Sequence, residues 1–413
     1  MTLLDPTTWE GRVFTGTWTT GSGESITSTE PATGEVLADV GGASAGDVRT
    51  SATAAARVQR DWAARSYLDR ARVLRRAGQL FEEHREEIET WVMRERGAIR
   101  PFAEFQAISG GAEECFEAAA LAAVPFGEVL RSGEQRLSFS RRLPVGVVGV
   151  IGPLNAPLVL AMRAVAPALA LGNAVVLKPD PRTPVSGGLL IARAFEEAGL
   201  PEGLLHVLPG GADVGAALVE DPEIPVTAFT GSTRAGRAIA AAAAPHLKRV
   251  HLELGGNSAL VVLGDADLDA AASLGAFGSF HNAGQICMAS SRHLVAASVA
   301  DEYAELLAKH ASSLSVGDPA TGTVAVGPII DAGQLQGVHR IVTASVAAGA
   351  RLLSGGPTTS CSTGRRSSPT YLWSHPPTPR RSSGPSHRSW RSMTSTRRSV
   401  SPPAPSTASR WAS

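Results

Sequence analysis

Cysteine is scarce in this chain: Cys115, Cys287 and Cys361 are the three among 413 residues. An odd and widely spaced set gives neither a disulfide framework nor a metal site, and it points to a reducing compartment. Net charge is also missing. With a formal balance of zero there is no electrostatic case for nucleic acid or an anionic membrane as partner. Long apolar runs are absent: the longest, 156–171, is interrupted by Arg163 and two prolines and is too short to span a bilayer. The opening, MTLLDPTTWEGRV, lacks the basic start and apolar core of a signal peptide. The ten histidines show no ligand spacing, so no metal is called for. These absences leave a cytoplasmic globular protein, and 413 residues suffice for two or three domains with substantial cores.

The apolar pattern then sets the fold class. Over 45–97 apolar residues recur at three and four, which predicts two long amphipathic helices, and a third is expected over 101–123. Residues 127–142 read as a β-hairpin around Ser132-Gly133. From Pro144 short aliphatic runs at 145–151, 174–177, 204–208, 226–229 and 251–254 alternate with helical stretches at 158–171, 185–198, 212–219 and 234–246. Strands apolar on both faces, alternating with helices, predict an α/β fold with a doubly wound parallel sheet of the dinucleotide-binding kind. A second α/β region follows, with a strand at 258–263, helices at 268–280, 299–314 and 334–348, and a strand starting at 350.

Reactive side chains concentrate in one stretch, VHLELGGN…FHNAGQICMASSR, with Glu253 and Cys287 thirty-four positions apart. A cysteine attacks as its thiolate and needs a group that manages protons, a role open to Glu253 once folding joins them. Alone, each has a plainer explanation, as a buried structural thiol or a strand-end carboxylate. Three other segments carry chemistry. Asn155 in PLNAP follows a strand and opens a helix, so its amide either donates to an oxyanion or caps that helix. Phe229-Thr230-Gly231-Ser232, with Gly236 beyond, joins a strand to a helix whose N-terminus can approach a pyrophosphate. Lys178 closes a strand before Pro179.

LELGGN followed by GQIC at this spacing resembles the aldehyde dehydrogenase superfamily, and PATGE near the start, PLNAP, and FTGS with its later glycine resemble further motifs of that family. The resemblance covers roughly residues 30–355. It implies an NAD(P)-dependent oxidation of an aldehyde to the carboxylic acid through a cysteine thiohemiacetal and thioester. Cys287 would be nucleophile, Glu253 base for the hydrolytic water, and Asn155 oxyanion donor. Cofactor contacts would come from Ile151, Pro153, Lys178, Gly211, Phe229, Thr230, Gly231, Ser232, Gly236, Leu254 and Gln334. Where NAD-preferring members often carry a glutamate, this chain has Pro181 between Asp180 and Arg182, so use of both NAD and NADP is expected. The segments PLNAP and KPDPRTP look most like members acting on aromatic and hydrophobic aldehydes such as benzaldehyde. The implied organisation is a dinucleotide-binding domain at 1–123 and 143–253, an oligomerisation hairpin at 124–142, and a partial catalytic domain at 254–356.

After Pro357 the chain turns to Ser, Thr, Pro and Arg, with no acid after Asp331. Such a composition cannot build a core and reads as a disordered tail over 357–413. It also fits a shifted reading frame: GC-rich codons for 380–400 read one frame over give EEFGPVAPVVAFDDVDEAV, which resembles a ribose-binding E-E-x-F-G-P segment of the family. The family implies a homo-oligomer, and this tail argues against one here. Two alternatives to an active dehydrogenase follow, an inactive frameshifted relic and a thiol esterase.

Overall fold

The computed structural model describes residues 2–355 and the backbone of two later strands. The chain opens with a short helix α1 (Pro6–Trp9) and strands β1 (Val13–Phe14), β2 (Trp18–Thr19), β3 (Gly23–Thr29) and β4 (Val36–Gly42). Where two long helices are expected there are three, α2 (Ala45–Ala64), α3 (Tyr67–Glu83) and α4 (Arg85–Arg96). Caps make the breaks. Ser44 and Asp47 form a capping box on α2, Ser66 restarts the chain by accepting from Leu68 N at 3.2 Å, and Gly97 ends α4 with φ at 70°. The apolar period runs through these breaks, so periodicity alone merges the elements. The next expected helix is α5 (Arg100–Phe105) and α6 (Glu114–Leu121) joined by a wider π turn, Gln106–Glu113.

The hairpin is present as β5 (Gly127–Leu130) and β6 (Ser138–Arg141), paired from Gly127 with Arg141 to Leu130 with Ser138. Its loop is therefore 131–137, longer than a tight turn at Ser132-Gly133. Then come β7 (Val147–Ile151), α7 (Pro157–Ala170), β8 (Ala174–Lys178), α8 (Leu190–Glu197), β9 (Leu205–Val207), α9 (Ala212–Glu220), β10 (Val226–Gly231), α10 (Thr233–Ala243) and β11 (Arg249–Leu254). The strands form one sheet in the order β11-β10-β7-β8-β9-β1-β2. From β11 to β9 every pairing is parallel, while β1 and β2 extend the β9 edge antiparallel, so the sheet is mixed where a parallel one is expected. All five residues of β7 and of β8 are buried, as strands covered by helices on both faces require.

This sheet belongs to a first unit, Met1–Gly255 with Val316–Ile330. A buried carboxylate ties it together. Glu95 accepts from Ser28 Oγ at 2.8 Å, Val185 N at 3.0 Å, and Ser186 N and Oγ at 2.7 and 2.5 Å. Burial pushes its carboxyl pKa up, and those four donors pull against that shift. Segment 316–330 closes on itself through Gly317 N to Val326 O at 3.2 Å.

The second unit comprises Gly256–Ser315 and the described residues from Asp331 onward. It holds β12 (Ser258–Val262), α11 (Leu268–Phe280), β13 (Ser290–Ala296), α12 (Ala300–Ser313), α13 (Ala332–Ala347), β14 (Arg351–Ser354), β15 (Leu372–Ser374) and β16 (Trp390–Ser395). Strand order is β12-β13-β16-β15-β14. Two short pieces of the expected disordered tail are thus strands. β16 pairs antiparallel with β13, covering backbone groups that would otherwise form an open edge. The remainder of 357–413, including Cys361 and the frame-shift segment outside 390–395, lies outside the described residues. Val262, Ala272, Val295, Tyr303 and Leu307 make the core. Inside it His293 meets Tyr303 Oη at 2.7 Å and Ser279 Oγ at 2.9 Å, and burial lowers its pKa to about 4.

Candidate active site

Register aligns one rim of the first sheet. Ile151 pairs with Lys178 and with Phe229, Thr230 with Glu253, and Gly231 with Leu254. Seven of the sequence candidates thus stand side by side at the carboxyl ends of β7, β8, β10 and β11, with Glu253 among them. Between β7 and β10 the strand order reverses: β8 and β9 lie on one side of β7, β10 and β11 on the other. The connections leaving the two central strands therefore diverge and open a crevice, the usual ligand position in such sheets.

Two helices begin at this rim. In α10 the N-cap Ser232 accepts from Ala235 N at 3.2 Å, and Gly236 lies so close to β11 that a Cβ would meet Leu254 Cδ2 at 2.5 Å. That places a helix N-terminus, with its partial positive charge, hard against the end of the sheet. Gly211 is the N-cap of α9. Lys178 is buried, its Nζ donating to Pro179 O at 3.1 Å. Burial lowers its pKa, and Asp180 partly opposes this. Arg182 is engaged by Asp180 in a fork, Nε to Oδ1 at 2.8 Å and Nη2 to Oδ2 at 2.9 Å. A dinucleotide fits these groups: a glycine-tight helix start for phosphate and a buried ammonium beside the strand ends.

Asn155 precedes α7 by one residue more than a cap would, since Ala156 holds the N-cap position and makes no side-chain bond there. The Asn155 carbonyl accepts from Arg96 Nε at 3.2 Å. Glu253 projects from the same face of β11 as His251, with Nε2 3.3 Å from Oε1 and the Glu253 side chain 64% exposed. A pair so exposed contributes little stability, and its carboxylate is open to solvent.

Cys287 belongs to the second unit and is half-buried. It follows a turn in which Asn282, Ala283 and Gly284 all have positive φ, at 52°, 55° and 68°. Two non-glycine residues in that region carry backbone strain of order 1–3 kcal/mol each. The Cys287 carbonyl accepts from Gly256 N at 3.2 Å, and a Cβ on Gly256 would meet that oxygen at 2.9 Å. The second glycine of LELGGN, Gly256, is thus needed for the cysteine loop to approach. Cys115, in contrast, is buried on α6, and burial raises its thiol pKa, which keeps it inert. Gln334 is exposed in the first turn of α13, its N–H bound to Asp331 Oδ1 at 2.7 Å.

Arg96 and Gln106 are polar residues of this region that sequence patterns do not reveal. Both are 0% exposed, and their partners lie more than fifty residues away.

The sequence matches the Aldehyde dehydrogenase family over residues 18–380. It is 59% identical over 356 residues to a vanillin dehydrogenase of Amycolatopsis sp., covering 86% of this chain and 73% of that one. It is 47% identical over 349 residues to the NAD(+) benzaldehyde dehydrogenase of Pseudomonas putida, covering 84% and 72%. In three dimensions it resembles the crystal structure of an NAD-dependent benzaldehyde dehydrogenase from Corynebacterium glutamicum, with a TM-score of 0.80 and 38% identity over 86% of this chain and 78% of that one. A glycine-tight rim on a doubly wound sheet, a strained cysteine turn seated on LELGGN, and relatives matching across both place the chain in the aldehyde dehydrogenase family.

Proposed function

We propose that this chain oxidises an aromatic aldehyde of the benzaldehyde and vanillin type to its carboxylic acid with NAD or NADP. The observation that carries the reading furthest is the level rim of Ile151, Lys178, Phe229, Thr230, Gly231 and Glu253 on four parallel strands. Pro153, Gly211, Ser232, Gly236 and Leu254 would complete the cofactor side, and the resemblance adds Gln334. When bound, the nicotinamide supplies the hydride acceptor.

The chain's own residues do the rest. Cys287 Sγ, as thiolate, forms a bond to the aldehyde carbon, and the carbonyl oxygen becomes an alkoxide. The Asn155 amide and the Cys287 backbone N–H hold that negative charge. After hydride loss the product is a Cys287 thioester. Glu253 takes a proton from water, whose oxygen bonds to the acyl carbon, and Sγ leaves as thiolate with the acid released. The first unit acts as cofactor unit, the second as nucleophile unit, and the hairpin 127–141 as a surface for a second copy. The fork between Asp180 and Arg182 neutralises the cation closest to Lys178 in sequence, which favours NAD over NADP. No observation favours the alternatives of an inactive relic or a simple thiol esterase.

The test is reduced-cofactor absorbance with purified chain, benzaldehyde or vanillin, and either cofactor. Turnover is expected, and Cys287→Ala should lower it by more than about 10⁴-fold, as loss of a nucleophile does. In Glu253→Gln a burst of one equivalent of reduced cofactor should precede a stall, with acyl-Cys287 visible by mass. A wild-type chain that yields no reduced cofactor with any aromatic aldehyde sinks the proposal.

A further inference from the structure

The helix that follows PLNAP starts in an unusual way. Extending α7 by one residue would join the Asn155 carbonyl to the Val159 N–H, the i to i+4 bond of an α-helix. Here each group has a different partner. Arg96 Nε donates to Asn155 O at 3.2 Å, and Val159 N donates to Gln106 Oε1 at 3.0 Å. The residue between, Ala156, lies at φ −139° and ψ 69°, far from helical values.

Both partners come from distant elements, Arg96 from the last turn of α4 and Gln106 from the first turn of the π segment. Both are fully buried. Burying them is costly. Nη1 and Nη2 of Arg96 and Nε2 of Gln106 meet no acceptor among the described residues, and burial pulls the guanidinium pKa down to about 10. Replacing such a cation by an apolar side chain is commonly neutral or stabilising, so packing alone does not account for it.

We infer that Arg96 and Gln106 are positioning residues for Asn155: they divide the turn that would wind it into α7 and hold its amide outside the helix, where an oxyanion can meet it. The inference rests on the reading of Asn155 as oxyanion donor. Arg96 fixes the carbonyl side of the peptide and Gln106 fixes the start of the helix. Asn155 is held between them, one residue ahead of the N-cap position. This pre-organisation matters because a donor must already point at the developing charge when the bond forms.

A double-mutant cycle on the full 413-residue chain tests this. The assay is hydrolysis of p-nitrophenyl acetate, which needs no cofactor: Cys287 Sγ bonds to the ester carbonyl, nitrophenolate leaves, and water releases acetate. Asn155→Ala should lower kcat about 10²- to 10³-fold. Arg96→Met and Gln106→Met should each lower kcat about tenfold or more with KM within about twofold, and cost less than about twofold once Asn155 is already alanine. Gln106→Glu, which keeps the acceptor, should recover most of the loss. Equal losses in both backgrounds overturn the positioning role, and an Asn155→Ala chain of normal rate overturns the oxyanion reading instead. Hydrogen exchange supplies a readout that needs no activity. The peptide containing Val159 and Leu160 should exchange faster in Gln106→Met and in Arg96→Met, and unchanged exchange in both overturns the inference. If Arg96→Met fails to fold, Gln106→Met carries the same test from the other side of the turn.

Discussion

The helices α7 and α10 both begin at the carboxyl rim of the same sheet, yet they solve their first-turn problem in opposite ways. α10 is capped from within by Ser232, four residues before Gly236. α7 has no cap of its own and borrows Gln106 from another element. A local cap frees backbone N–H groups to face a ligand while the helix end stays anchored. A borrowed cap meets the Val159 N–H from a distant element, with an alanine at the N-cap position. Two helices at one sheet edge thus start differently, one on its own serine and the other on a distant glutamine.

The comparison breaks most visibly at Asn155. Asn155→Ala should cost about 2.7–4 kcal/mol in transition-state stabilisation, read as kcat for aldehyde oxidation, with a smaller change in thermal stability because Ala156, not Asn155, holds the N-cap position of α7. If Tm falls and kcat does not, Asn155 is a structural residue after all.

A pH series sharpens the contrast between buried and exposed histidines. Burial holds His206 and His293 down to about 4 from an ordinary 6.5. Groups with depressed folded values contribute stability above the unfolded value and lose it as pH falls through the folded one. Unfolding free energy should therefore drop between pH 6.5 and 4, by on the order of 3 kcal/mol for each site. Urea titrations at intervals of pH would show this. His293→Gln should flatten part of the slope.

Gly236→Val tests the α10 side. The added side chain meets Leu254 where a Cβ alone would stand 2.5 Å from Cδ2, so the helix must shift at a cost of about 1–3 kcal/mol. The expected signature is loss of the thermal shift given by NAD, with Cys287 still reactive to iodoacetamide. The smallest effect belongs to Ser232→Ala. Losing that cap should lower stability by about 1 kcal/mol and leave kcat within about twofold, which differential scanning calorimetry and steady-state assays would check.

Much of this was legible in the sequence, and the exceptions share a cause. The helix expected over 268–280 is α11 to the residue, and the five expected strands of the first sheet recur with shifts of one or two positions. These depend on local period and composition. Gly231, Ser232 and Lys178 were legible because a strand-to-helix junction announces itself in a few consecutive residues. Three features were not. The breaks between α2, α3 and α4 depend on caps that the apolar period overrides. β13 escaped notice because SSRHLVA mixes polar residues into a strand whose two flanks are filled by β12 and β16. The contacts of Arg96 and Gln106 exist only through partners 59 and 53 residues away, and no neighbour in the chain hints at them.

The return of Val316–Ile330 to the first unit has a consequence for synthesis. Gly327 seats against the end of α4, where a Cβ would stand 2.1 Å from Gly97 O, and Pro328 crowds Gly97 from the same segment. A ribosome delivers this piece only after Gly256–Ser315 has emerged. The nascent first unit must therefore wait, with the helix end at Gly97 uncovered, while the first part of the second unit, Gly256–Ser315, is translated. Long-range closure of this kind slows folding and prolongs exposure of apolar surface. A translational pause before Val316 should raise chaperone capture, and one after Ile330 should not.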